Sequence, residues 1–178
     1  MRKYFYLGIV IVTMLSMLVT ASPALAAKPV AFEAGGTITA ISPGVVGENV
    51  FPAGNSGRWR VTDRTITGVL TRGDIAGDIT IQYQANVDAT QAGNFHGSIV
   101  VAGGSYSGKI NGSISSVVYD PGLPLPPRID ITGHWNLNNG ARGNGTFEAT
   151  IFFLPLGEHV LFVIPEMSTF TMSGDWQP

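Results

Sequence analysis

The sequence predicts an all-β protein, a single antiparallel β-barrel of about eight strands, with a β-sandwich as the alternative. Between residues 73 and 153 almost every segment alternates apolar and polar residues, which is the period of a half-buried strand. Short turns rich in glycine and asparagine separate these segments, and no window after the first residues has a helical period. We favour the barrel because closure removes the exposed sheet edges that a sandwich leaves.

The first strand is predicted at residues 36–42, after a weakly patterned start. Residues 43–57 are rich in Pro, Gly and Asn and predict a long loop. Val50 and Phe51 interrupt that loop, and we expect them to pack against the barrel because an exposed apolar pair would be a liability. Residues 58–72 predict one long or two short strands, with Trp59 and Val61 on the same face.

The later strands follow a stricter alternation, and residues 74–88 show it best. Ile79, Ile81 and Tyr83 share one parity there, whereas the residues between them are polar. Four prolines within residues 120–128 exclude a central strand, since proline lacks the N–H that a ladder needs. The remaining strand segments are predicted at residues 95–101, 106–114, 129–137, 147–153, 159–164 and 168–176.

The N-terminal 26 residues have the pattern of a secretory signal peptide. Arg2 and Lys3 form a short cationic region, residues 4–19 are apolar, and Ala24-Leu25-Ala26 is a small-x-small cleavage pattern. We therefore expect an exported protein that is cleaved after Ala26, with one domain at residues 27–178 and no stable membrane anchor after cleavage. A retained anchor is the alternative, because about 20 apolar residues can span a bilayer.

Composition excludes several classes of function. Removing Arg2 and Lys3 leaves 8 of the 10 basic residues against 12 acidic ones, so no basic stripe is left to attract nucleic acid. The chain has no cysteine, which rules out thiol catalysis, iron–sulfur clusters and cysteine-bound zinc. No Gly-x-Ser-x-Gly motif, phosphate loop or dinucleotide fingerprint occurs. The sequence therefore indicates no cofactor.

The histidines and carboxylates do not form a recognisable site. His96 and His134 lie on the polar parity of their strands, and no histidine pair has the spacing of metal ligands. Asp130 and His134 share a face but lie about 13 Å apart along the strand, which is too far for a hydrogen bond. A pair between His134 and a carboxylate on a neighbouring strand, such as Glu148, is an alternative that the sequence leaves open. We predict no metal site, and the missing catalytic constellation favours a protein without catalytic activity.

A resemblance to a known family rests on glycine-rich segments. Residues 140–148, Gly-Ala-Arg-Gly-Asn-Gly-Thr-Phe-Glu, resemble the G-x-G-x-F-E strand start of the allene oxide cyclase and dirigent-like barrels, and residues 73–77 and 93–112 are similar to the glycine-punctuated hairpins of that superfamily. The resemblance implies an eight-stranded barrel with an apolar cavity, often oligomeric, that steers cyclisation or coupling of an apolar ligand. That family's pocket acid and cysteine have no counterpart that we can place here.

Aromatic residues on the apolar parity are the candidate ligand contacts. Glycines at neighbouring positions of the same parity leave space opposite them, which fits either a packed core or a cavity for one small molecule. The candidate ligand-binding residues are Tyr83, Tyr106, Trp135, Phe147 and Phe153.

The expected function is non-catalytic binding of an apolar small molecule or a structural role, in a protein that can form a homo-oligomer. Three alternatives stay open at this point. They are a cyclase or coupling-guiding protein, a small outer-membrane barrel, whose alternation looks the same in sequence, and an extracellular adhesion module built as a sandwich.

Overall fold

The computed structural model describes residues 28–54, 56–122, 124–157 and 160–177. The predicted signal peptide and cleavage site lie outside these residues, and so does His159. The strands, numbered in chain order, are β1 (Val30–Ile41), β2 (Val50–Pro52), β3 (Trp59–Gly73), β4 (Gly77–Val87), β5 (Gly93–Val101), β6 (Tyr106–Ile114), β7 (Arg128–Asn139), β8 (Arg142–Gly157), β9 (Val160–Val163) and β10 (Thr169–Gln177).

Eight of these strands close into an antiparallel ring, in the order β1-β10-β8-β7-β6-β5-β4-β3. Pairing between β1 and β3 completes the ring, from Ala34 opposite Gly73 to Ile41 opposite Ile66. The short strands β2 and β9 lie outside it and pair with β3 and β8. The predicted barrel is therefore confirmed, and the sandwich is not formed.

Two predictions about the first third of the chain need correction. The first strand begins at Val30, six residues before the predicted start, because its alternation already buries Phe32 and Ala34 against β10. Val50 packs against the barrel as expected and is 1% exposed, but Phe51 is 36% exposed. The two neighbours point to opposite sides because they sit next to each other in β2.

The apolar parity of the strands faces the barrel interior, as the alternation predicts. Some of the glycines on that parity lie where two strands approach closely under an aromatic ring. Gly112 and Gly133 are direct partners in β6 and β7, and a Cβ at Gly133 would lie 2.8 Å from a ring carbon of Phe147. Small residues thus leave room for large ones, and the strands can bend where the side chains are absent.

The two ends of the barrel differ in their connections. One end, here called the turn end, carries the short connections β3–β4, β5–β6 and β7–β8. The other, here called the loop end, carries the connections at 42–58, 88–92 and 115–127 and the β8–β10 connection that contains β9. Because binding sites concentrate on loops that a rigid scaffold positions, the loop end is the first place to look for function.

Candidate functional site at the loop end of the barrel

A cavity of about 90 Å³ opens at the loop end, here called the mouth cavity. Its walls come from β1, β3, β4, β6 and β7, with further contributions from β2 and the 88–92 turn. Most wall residues are apolar, and the polar ones are few. The lining residues are Ile41, Val50, Trp59, Val61, Arg64, Tyr83, Ala85, Val87, Asp88, Ala89, Gln91, Ile114 and Ile129.

A β-bulge in β3 aims one charged side chain toward this cavity. Val61 pairs with Ala85 and Arg64 pairs with Tyr83, so β3 contains one residue more than β4 between the two pairs. Asp63 lies at the bulge with a φ of 53°, in the left-handed region that asparagine and aspartate tolerate better than most residues. The extra residue shifts the side-chain parity, so Arg64 lies inside the barrel and is only 7% exposed.

The bulge can be tested at Asp63. An Asp63→Val variant is expected to be about 1–2 kcal/mol less stable, because β-branched side chains are strained in the left-handed region. Asp63→Gly is the matched control and is expected to lose no stability, since glycine adopts this conformation freely. Equilibrium unfolding in urea measures both variants, and equal stability of the two would argue against a left-handed residue at this position.

Arg64 has one acceptor for its guanidinium group among the described residues. Its Nε donates to the backbone carbonyl oxygen of Ser42 at 2.9 Å, and its Nη2 donates to the same oxygen. Ser42 is in turn held to β3, because its backbone N–H donates to the carbonyl of Thr65 and its hydroxyl accepts from the N–H of Thr65. The one ion pair recorded within the described ranges, Arg128 with Asp130, does not involve Arg64.

Tyr83 is the neighbour of Arg64 across β3 and β4, and it is 8% exposed. Desolvation by burial raises the pKa of its phenol, and the Arg64 charge lowers that pKa by a smaller amount. Tyr83 is therefore neutral at ordinary pH and can donate its proton in a hydrogen bond. In the described part of the chain no acceptor is recorded for its hydroxyl group.

Asp88 places a carboxylate at the rim of the mouth cavity, but that carboxylate is hydrogen-bonded within the turn at residues 88–92. Its Oδ1 accepts from the N–H and hydroxyl of Thr90, at 2.8 and 2.7 Å, and from the N–H of Ala92 at 3.2 Å. The side-chain bond from Thr90 is the largest cause that lowers the pKa of Asp88. The carboxylate therefore stabilises the 88–92 turn rather than the buried guanidinium.

The five aromatic candidates do not converge on one site. Tyr83 and Phe147 line a cavity inside the barrel, whereas Trp135 and Tyr106 belong to a cluster toward the turn end. There Phe32 contacts Trp135 and Trp176 at centroid distances of 5.2 and 5.0 Å, and Tyr106 contacts Trp176 at 5.6 Å. Phe153 is buried opposite Val163 of β9. Their role as ligand contacts stays a prediction, and Tyr83 is the one among them that lines the mouth cavity.

The cavity inside the barrel measures about 20 Å³, room for about one water molecule. Aromatic rings fill much of the surrounding space. Phe95 lies between Tyr83 and Phe147 at 6.1 and 6.0 Å, and Phe147 stacks on Phe170 at 5.7 Å. The middle of the barrel is therefore packed, and the mouth cavity at the loop end is larger than the space in the middle.

Two larger grooves of about 520 and 640 Å³ lie on the outer surface of the sheet, and both are open to solvent. They share Thr146, Phe147 and Glu148, and the second includes His134. His134 and Glu148 are exposed, as is His96, and no hydrogen bond joins the first two within the described ranges. The grooves therefore lack the buried polar groups that distinguish the mouth cavity.

Among the described residues, no group of three or more His, Asp or Glu side chains lies close enough together to hold a metal ion. In the same residues, no helix has the length and apolar character needed to cross a bilayer.

Comparisons with protein-family models, with curated proteins and with solved structures found no match to this chain. The resemblance to allene oxide cyclase and dirigent-like barrels therefore stays a prediction.

Arg64 is the site residue that the sequence patterns did not single out, although a signal for it exists. Trp59 and Val61 occupy odd positions on the inward face, whereas Ile66, Gly68 and Leu70 occupy even ones. A change of parity within one strand requires an extra residue between the two sets. That extra residue places Arg64 on the inward face.

Proposed function

We propose that this chain is an exported, non-catalytic binding protein that holds a small apolar molecule in the mouth cavity. The observation that carries the proposal is the contrast between the packed interior, with about 20 Å³ of space, and the mouth cavity, with about 90 Å³ and mostly apolar walls. Apolar pockets with a few polar groups are the usual form of small-molecule sites. This cavity is smaller than most of them and smaller than the roughly 150 Å³ of an apolar cavity that holds benzene, so it suits one small ring or alkyl group of a ligand that extends out through the mouth.

The polarity of the barrel surface favours an aqueous setting over the outer-membrane alternative. Buried and exposed residues alternate along β4, with Thr80, Gln82 and Gln84 facing outward. A lipid-facing barrel needs the opposite arrangement, with an apolar exterior. Export itself rests on the N-terminal sequence pattern.

Toluene provides a direct test, because the chain has three tryptophans and only Trp59 lines the mouth cavity. In a ¹H–¹⁵N correlation spectrum, toluene is expected to shift the indole signal of Trp59 and to leave those of Trp135 and Trp176 unchanged. Ala85→Leu fills the mouth cavity and is expected to abolish the shift. Unchanged indole signals at Trp135 and Trp176 in this variant show that the barrel is intact. Equal shifts of all three indoles, or none at Trp59, would count against the proposal.

The cyclase or coupling-guiding protein is the second candidate, and the Arg64–Tyr83 pair is the observation that favours it. A guanidinium and a phenol in an apolar surrounding can stabilise negative charge that develops on a bound oxygen. This candidate predicts that Tyr83→Phe slows turnover of an epoxide or phenolic substrate without changing its affinity. Absence of any turnover in the wild-type protein would eliminate it.

A further inference from the structure

We infer that the mouth cavity binds a small carboxylic acid, whose carboxylate is held by Arg64 and Tyr83 while its apolar part contacts the cavity walls. The inference rests on the proposed function and specifies its ligand class. It follows from the burial of the Arg64 guanidinium at the loop end of the barrel.

The first step concerns the cost of burying Arg64. Arginine side chains carry a positive charge in proteins, and Arg64 is 7% exposed. Buried charges are normally paired with an opposite charge, because a neutral partner replaces only part of the lost hydration. Here the recorded acceptor is the neutral carbonyl oxygen of Ser42. An uncharged donor at this position could hydrogen-bond to that oxygen equally well. The Ser42 carbonyl therefore does not explain why a charged side chain is buried here.

The second step concerns the donors that remain. A guanidinium has five N–H donors, and the contacts within the described residues use Nε and Nη2 of Arg64 on one oxygen. The Nη1 donors and the Tyr83 hydroxyl have no recorded acceptor there. Both side chains line the mouth cavity. No buried side-chain nitrogen or oxygen atom in the described residues lacks a partner, so these donors reach open space, and the space that both side chains line is the mouth cavity with its mostly apolar walls.

The third step identifies the complementary ligand. A carboxylate accepts several hydrogen bonds on two oxygens, and arginine matches its planar geometry. Tyr83 stays protonated because burial raises its pKa, so it can donate to the second oxygen. The apolar walls, with Ile41, Val61 and Ile129 among them, suit a hydrocarbon body. Among the described residues the carboxylate of Asp88 makes neither a hydrogen bond nor an ion pair with Arg64, and its Oδ1 is bound within the 88–92 turn.

The bulge at Asp63 is an independent observation in favour of a site. A non-glycine residue with a φ of 53° stores strain, and such strain persists where the surrounding structure requires it, often at functional sites. Bulges also serve to redirect a side chain next to such sites. Without the extra residue in β3, Arg64 would point to solvent, where its charge would carry no desolvation cost.

The test compares benzoate with benzamide, which has the same shape and no charge. Titration followed at the Trp59 indole signal is expected to give a dissociation constant for benzoate that is about ten to a hundred times lower than for benzamide, the effect of charge-assisted hydrogen bonds in a buried site. Arg64→Met, an apolar side chain of similar length, is expected to abolish this preference. Arg64→Lys keeps the charge and is expected to retain part of it.

The possible results separate this inference from the proposed function. Equal affinity of the wild-type protein for both probes, or an unchanged preference in Arg64→Met, would overturn the carboxylate site and leave apolar binding intact. No shift of Trp59 with benzoate, benzamide or toluene would overturn both. If Arg64→Met does not fold, Tyr83→Phe decides, since it removes only the hydroxyl. Benzoate is expected to bind that variant several times more weakly, and unchanged affinity would contradict the inference.

Discussion

Trp135→Ala is expected to lower the free energy of unfolding by about 3–5 kcal/mol, the usual cost of deleting a buried tryptophan side chain. Trp135 is 1% exposed, and its ring packs against Phe32. Its indole N–H donates to the carbonyl oxygens of Thr146 and Ser173 at 3.0 and 3.1 Å, which ties β7 to β8 and β10. The variant loses this packing and leaves a cavity toward the turn end of the barrel. Equilibrium unfolding in urea, followed by circular dichroism, measures the change.

Two controls separate the contributions at this position. Trp135→Phe keeps a ring against Phe32 and loses the N–H donor, so it is expected to fall between the wild type and Trp135→Ala. Tyr119→Ala removes an aromatic ring that is 62% exposed, and it is expected to change stability by no more than about 0.5 kcal/mol. A loss below about 1 kcal/mol in Trp135→Ala would mean that the aromatic cluster does not support the barrel as described.

Gly133→Ala is expected to lower the free energy of unfolding by about 3 kcal/mol or more, at the upper end of the cost of overpacking. An added Cβ would lie 2.0 Å from the carbonyl oxygen of Asn111 and 2.7 Å from the Cα of Gly112. Both are backbone atoms of β6, so no side-chain rotation relieves the clash. The strands β6 and β7 would have to separate where the sheet bends.

Hydrogen exchange locates this effect, because opening between β6 and β7 would speed exchange of the amides that pair these strands. Gly122→Ala is the matched control. Gly122 is exposed, and an added Cβ would meet only the Asp120 carboxylate oxygen, at 3.2 Å. This variant is expected to stay within about 0.5 kcal/mol of the wild type. Equal stability of the two variants would contradict the close approach of β6 and β7.

The parity of apolar residues was sufficient to predict most of the barrel. Side chains alternate between the two faces of any strand, so Ile79, Ile81 and Tyr83 had to share the buried face, and all three do. The same reasoning placed His96 and His134 outside. It missed the start of β1, because Phe32 and Ala34 precede two adjacent glycines that weaken the pattern. Pattern reasoning therefore works best where alternation is unbroken.

The candidate site depended on contacts that no local pattern encodes. The aromatic candidates were chosen because they share the buried parity, but that parity does not tell which end of the barrel a residue occupies. Register and closure decide this, and they place Tyr83 at the loop end and Trp135 in the cluster toward the turn end. Of the five aromatic candidates Tyr83 alone lines the mouth cavity, its role as a ligand contact stays a prediction, and sequence reasoning did not single out its neighbour Arg64.

The sequence by itself determined the all-β class, the inward and outward faces of most strands and the absence of cysteine chemistry, because these depend on residue type and a period of two. Only the tertiary structure decided that aromatic rings, with glycines making room for them, fill the middle of the barrel and leave space at its loop end. It also decided that Arg64 is buried beside Tyr83. The physical reason is that one extra residue at Asp63 reverses the parity of β3, and ring closure then brings the distant Ser42 carbonyl to the guanidinium.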